Sequence, residues 1–162
     1  MKQAGGVFRL ALTALLASAS LAAGTAMLAG DTTPALAHKG AHGVVKERMR
    51  LMKKMEKRLR LITKMEKGEL PFDADAVHRR GGQLLKYARK IPRLFPRGSG
   101  TPPSEASARI WQDFAAFQAE GKKLEQAAML LMQASAATLP DIARQLRAAC
   151  KSCHEKYRVE RD

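Results

Sequence analysis

Apolar residues recur along this chain in four helical stripes. From Val44 to Lys67 there is no Gly or Pro, and Val45, Met52, Met55, Leu59 and Ile62 fall at heptad-like spacing with Arg48 on the same face. This spacing predicts a long amphipathic helix. Gly68 is placed to close it, after Lys64 and Lys67 in its last turn. Pro71-Phe72-Asp73 predicts a turn with Asp73 as the next N-cap. Val77, Gly81, Leu84, Ala88 and Ile91 then form a second stripe that stops before Pro92. Residues Pro92 to Pro103 hold four prolines and two glycines and predict a loop, long for a compact domain. A third helix is predicted from about Ser104 to Ala134, with Ile110, Phe114, Phe117, Gly121, Leu124, Ala128 and Leu131 at a/d spacing. Pro140 suits the first position of a fourth helix, with Asp141 in its first turn. Ile142, Leu146, Ala149, Cys150, Cys153 and Tyr157 share one face of it. Four such seams without a strand pattern predict an all-α fold, an antiparallel four-helix bundle, which places cofactors in the core between facing helices.

The first residues stand outside this pattern. Lys2 and Arg9 precede an apolar run from Leu10 to Ala23, broken only by Thr13, Ser18 and Ser20. Small residues follow and end in Ala35-Leu36-Ala37. That order predicts a signal peptide over residues 1–37, cleaved at an A-x-A site, and a mature domain over residues 38–162. The run is too short and too rich in Ala and Ser for a membrane anchor. The expected location is the bacterial periplasm.

Composition agrees with a small helical domain. The 162 residues are 46% hydrophobic, close to the globular average, which excludes wholesale disorder. Aromatics are only 5%, while helix-favouring Ala, Leu, Lys, Arg, Met and Gln dominate. Two cysteines exclude a multi-bridge disulfide scaffold.

Those two cysteines carry the chemistry. Cys150-Lys151-Ser152-Cys153-His154 is C-x-x-C-H, the c-type haem attachment signature. Two thiols three residues apart on a helical turn can each add across one haem vinyl group, and His154 then lies under the iron as its proximal ligand. A dithiol redox pair would also use C-x-x-C, but it belongs at a helix N-terminus beside strands. Zinc needs further ligands, and His38, His42 and His78 are not paired at ligand spacing. A structural disulfide would close a tiny ring and stabilise little. The haem reading is the one that export, helicity and motif share.

With this motif on the last of four helices, the chain resembles the class II c-type cytochromes, the cytochrome c prime family. The matching pieces are residues 45–52 (V-K-E-R-M-R-L-M), 67–73 (K-G-E-L-P-F-D), Ile110-Trp111, and residues 150–158 (C-K-S-C-H-E-K-Y-R). The resemblance implies one haem c, bound covalently through Cys150 and Cys153. It also divides by what the first helix presents to the iron. High-spin members have an apolar residue there and a five-coordinate iron; low-spin members have a ligating Met. Aligning V-x-x-R-x-x-x places Met52 at that position, and residues 91–96 also resemble the low-spin branch. The iron is therefore expected to be ligated by His154 and Met52. Helix geometry alone does not single Met52 out, because Met49 and Met55 lie only about 60° away around the helix. Methionines at such spacing also serve simply as core.

A closed His/Met site suits electron transfer, since thioether sulfur favours ferrous iron. The expected function is a periplasmic monohaem electron carrier, not an enzyme. The alternative is a five-coordinate cytochrome c prime that binds nitric oxide or carbon monoxide. The resemblance places Arg48 near a haem propionate, where charge-assisted pairing would satisfy it, and gives Arg158 a similar role. Tyr157, Trp111, Phe114 and Phe117 are read as core. Gly81 and Gly82 each cost a helix about 1 kcal/mol against Ala, so room for the macrocycle or for a neighbouring helix is expected there.

The net charge is +14. Lys46, Arg50, Lys53, Lys54, Lys57, Arg58, Arg60 and Lys64 make the first helix strongly basic. An acidic redox partner protein or a membrane electron-transfer complex would be steered by such a face. Charge runs are otherwise solvated helix faces. Nucleic acid is disfavoured by export and by the lack of interleaved aromatics. Monomer and homodimer both remain open.

Overall fold

The computed structural model describes residues 41–159. The leader expected over residues 1–37 and the mature start expected at His38 lie outside the described residues. Helix α1 spans Gly43–Glu66, α2 Ala74–Ala88, the short α3 Arg109–Gln112, α4 Phe114–Met132 and α5 Leu139–Tyr157. A 3-10 turn occupies Ile91–Leu94. The four long helices pack round one core, a four-helix bundle, and the described residues contain no strand beyond an isolated bridge between Ala106 and Arg158.

Local signals set most boundaries. Gly68 (φ +73°) follows the end of α1, where the Glu69 amide donates to the Lys64 carbonyl at 2.9 Å and the Gly68 amide to the Met65 carbonyl at 3.2 Å. This left-handed closure satisfies carbonyls that would otherwise be orphaned. Asp73 caps α2, accepting from the Ala76 amide at 2.9 Å. The second stripe ends earlier than its periodicity implies: α2 stops at Ala88 and Ile91 begins the 3-10 turn. The residue before a proline is pushed away from α-helical angles, which accounts for the shift.

The predicted third helix is a larger departure. Residues 104–108 are not helical, and the rest divides into α3 and α4. Asp113 leaves helical geometry (φ −136°, ψ 81°), and its side chain accepts from the Ala116 amide at 2.9 Å. Asp stabilises a helix start better than a helix interior, so it breaks the run and caps α4. Upstream, residues 104–107 are held by the chain's other end. The Ser107 amide donates to the Tyr157 carbonyl and the Val159 amide to the Glu105 carbonyl, both at 2.9 Å.

Ile62, Val77, Ala88, Ala128, Leu131 and Ala143 are sealed from solvent in the core. Helix α4 is central, packing along both α2 and α5, while α1 touches α2, α5 and the 3-10 turn more sparingly. The α2–α4 approach depends on Gly81. A Cβ there would sit 2.6 Å from Met132 Cγ and 3.0 Å from the Ala128 carbonyl oxygen, whereas at Gly82 it would meet nothing within 4 Å. Of the two reasons expected for this glycine pair, the close helix neighbour holds for Gly81.

Candidate haem site

The last turns of α5 carry Cys150, Cys153 and His154 on one side of the helix, spaced i, i+3 and i+4. All three line an apolar cavity of about 490 Å³. Helix α1 lines it with Val45, Met49, Met52, Met55 and Leu59. Phe95, Ile110, Phe117 and Leu124 line it from the remaining elements. Val45, Met52 and Leu59 are only half-buried although they sit on the apolar stripe of α1, because that part of the stripe faces the cavity.

The residues fit a haem. Gly121 of α4 is buried in the cavity wall, yet a Cβ there would meet nothing within 4 Å, so the wall is open at that point. Both cysteines are half-buried and neither is in a disulfide. Burial pushes the Cys153 thiol up to about 11, with the nearby Glu120 carboxylate adding to the rise, and burial raises Cys150 as well. A redox-active dithiol needs a depressed pKa, and burial moves this pair the other way. His154 is exposed by area, but the protein around its ring still holds its pKa below the ordinary value, with Arg158 contributing. That favours the neutral imidazole, the form that ligates metals.

Met52 and His154 both line the cavity. Met49 and Met55 line it too. Arg48 also lines the cavity and is 7% exposed, but its terminal nitrogens are already taken. One donates to Ser104 Oγ at 3.1 Å; the other donates to Ser99 O at 2.9 Å and Ser99 Oγ at 3.0 Å. The guanidinium lies 4.1 Å from the Phe95 ring centroid, and only Nε has no partner among the described residues. Arg48 thus anchors the 99–104 loop onto α1. Arg158 Nε donates to Glu105 Oε2 at 2.7 Å, so it too has a protein partner. Tyr157 packs edge-on to Phe117 with centroids 5.2 Å apart. Trp111 is half-buried, and its Nε1–H donates to the Phe95 and Pro96 carbonyls, both at 3.0 Å.

Glu120 is a cavity residue that the sequence reading passes over. The signal for Glu120 is its phase: it lies three residues after Phe117 and four before Leu124, inside the buried stripe of α4.

Residues 43–158 match the family model described as Cytochrome C'. The chain belongs to the cytochrome c' family. Cytochrome c' proteins carry covalent haem c, and Cys150 and Cys153 are the attachment residues of this one. The chain is 33% identical over 125 residues to cytochrome c-556 of Agrobacterium tumefaciens (strain B2A), a match covering 74% of this chain and 99% of that one. It is 40% identical over 100 residues to cytochrome c-554 of Cereibacter sphaeroides, covering 57% of this chain and 65% of the relative. The solved cytochrome c' from Rhodopseudomonas palustris is 30% identical and aligns with a TM-score of 0.70, over 75% of this chain and 100% of that one.

Proposed function

We propose that this cytochrome c' family member is an exported, non-enzymatic monohaem protein whose haem lies between α5 and the methionine-bearing face of α1. The carrying observation is the apolar cavity that Cys150, Cys153 and His154 share with that face. When bound, the haem supplies an iron that changes oxidation state and accepts axial ligands. The chain's own part is to present a neutral His154 from α5, exclude water with Phe95, Phe117 and Leu124, and decide with α1 what stands on the other side.

Two readings of the α1 side follow. In the first, the sixth position is open and binds nitric oxide or carbon monoxide. The comparisons favour it: the family model and the Rhodopseudomonas palustris structure both bear the cytochrome c' name, which the resemblance links to five-coordinate iron. In the second, Met52 closes the site and the protein is an electron carrier. What supports that is a thioether one turn after Arg48, in the same cavity as His154.

One set of spectra separates them. An open iron gives a high-spin spectrum that shifts with carbon monoxide, and Met52→Ala changes it little. A Met52-ligated iron gives a low-spin spectrum with a methionine–iron charge-transfer band in the ferric form and no carbon monoxide shift, and Met52→Ala opens it. Absence of haem, in a host that matures c-type cytochromes, overturns both.

Periplasmic location is supported by the leader pattern at residues 1–37 and by the bacterial relatives. Among the described residues no helix is long and apolar enough to cross a membrane. The basic face of α1 is the docking surface proposed for an acidic redox partner or membrane complex. Lys46, Arg50, Lys53, Lys54, Lys57, Arg60 and Lys64 are exposed on it, while Arg58 turns inward to Gln83 and Tyr87 of α2.

A further inference from the structure

One side chain in the cavity wall is out of keeping with its surroundings. Glu120 of α4 is 4% exposed among apolar neighbours. Its Oε1 accepts from Lys123 Nζ at 2.8 Å and Lys156 Nζ at 2.6 Å, and its Oε2 accepts from Ser152 Oγ at 2.9 Å. Lys123 is on the same helix. Ser152 and Lys156 belong to α5, and they bracket Cys153 and His154. One buried anion therefore grips the haem-attachment turn from both sides.

Stability does not by itself call for this arrangement. A buried charge is tolerable when paired and hydrogen-bonded, but a well-packed apolar residue in its place is often neutral or better. Bonds that reach the neighbours of a metal ligand do something packing cannot: they fix the ligand's direction and adjust the charge around the metal. The charges also differ in exposure. The two lysines are 56% and 52% exposed, so water screens them, whereas the carboxylate is withdrawn from water and its field is less attenuated.

We propose that Glu120 is a positioning residue of the haem site. It holds the Ser152–Lys156 turn, and through it His154, and it biases the iron toward the ferric state by standing as a buried negative charge beside the attachment segment. The inference rests on the haem reading of the cavity but is indifferent to whether Met52 ligates.

The test is the midpoint potential of the holoprotein, measured for wild type, Glu120→Gln and Lys156→Gln, with a thermal melt of each. Glu120→Gln removes the anion and leaves two cations uncompensated, so the potential rises. Lys156→Gln removes a cation and leaves the carboxylate bonded to Lys123 and Ser152, so the potential falls. Shifts of opposite sign are the expected result, and a merely structural role would not produce them. Both potentials unchanged, or both displaced in the same direction, overturn the proposal even if the melts are lowered. Lys156 is half in solvent, so Lys156→Gln carries the test alone if Glu120→Gln does not fold; a potential that fails to fall then overturns it. A wild-type protein that takes up no haem fails at an earlier point, overturning the haem reading and this proposal with it.

Discussion

Acid titration isolates the contribution of Glu120. The Lys123 ammonium, then Lys156 and Ser152, hold its carboxyl at about 2, against an ordinary value of 4.5, with burial opposing them. A carboxylate whose folded pKa is depressed contributes stability that is complete above the unfolded value and is lost as pH falls through the folded one. The stability difference between wild type and Glu120→Gln should therefore be constant above about pH 4.5 and shrink steadily toward about pH 2. A difference independent of pH across that window in denaturant titrations would contradict the assignment. Glu66, held down by its bond from Arg147, acts in the same direction and is common to both proteins, so it cancels. At this scale the sequence reveals residues whose meaning is local. Cys150, Cys153 and His154 declare themselves by spacing within one turn. Arg48 does not, because its partners Ser99 and Ser104 lie more than fifty positions away and only the folded loop brings them to it.

The two adjacent glycines of α2 give opposite predictions. Gly81→Ala forces a methyl into Met132 and the Ala128 carbonyl, and overpacking of this kind costs about 1–3 kcal/mol. Gly82→Ala meets nothing and gains helix propensity, up to ~1 kcal/mol. Thermal or denaturant melts that move both variants the same way would show that the α2–α4 contact is looser than described. The stripes of apolar residues were enough to locate the long helices and the faces they bury. They were not enough to see that the third helix breaks at Asp113, because an uninterrupted a/d pattern carries no record of a capping side chain. Nor did they show that residues 104–107 leave the helix to pair with residues 157–159, a contact between segments some fifty positions apart.

For the molecule as a whole, charge is the dominant property, at +14. If the exposed lysines and arginines of α1 guide an acidic partner, the association rate should fall steeply between low salt and ~0.5 M, where screening shortens to a few Å. Stopped-flow mixing with an acidic redox protein reads this directly, and a rate unaffected by salt would leave the basic face as solvated surface only. The position of the haem-attaching residues has a further consequence in time. Ribosomes deliver a chain from its N-terminus, at roughly 5–20 residues per second. Helices α1, α2 and α4 are thus complete before α5 emerges, and α5 brings the fourth wall of the cavity together with every side chain that captures the cofactor. Until then the cavity lacks the wall that carries Cys150, Cys153 and His154. In that interval like positive charge on neighbouring chains opposes contact between their uncovered apolar seams.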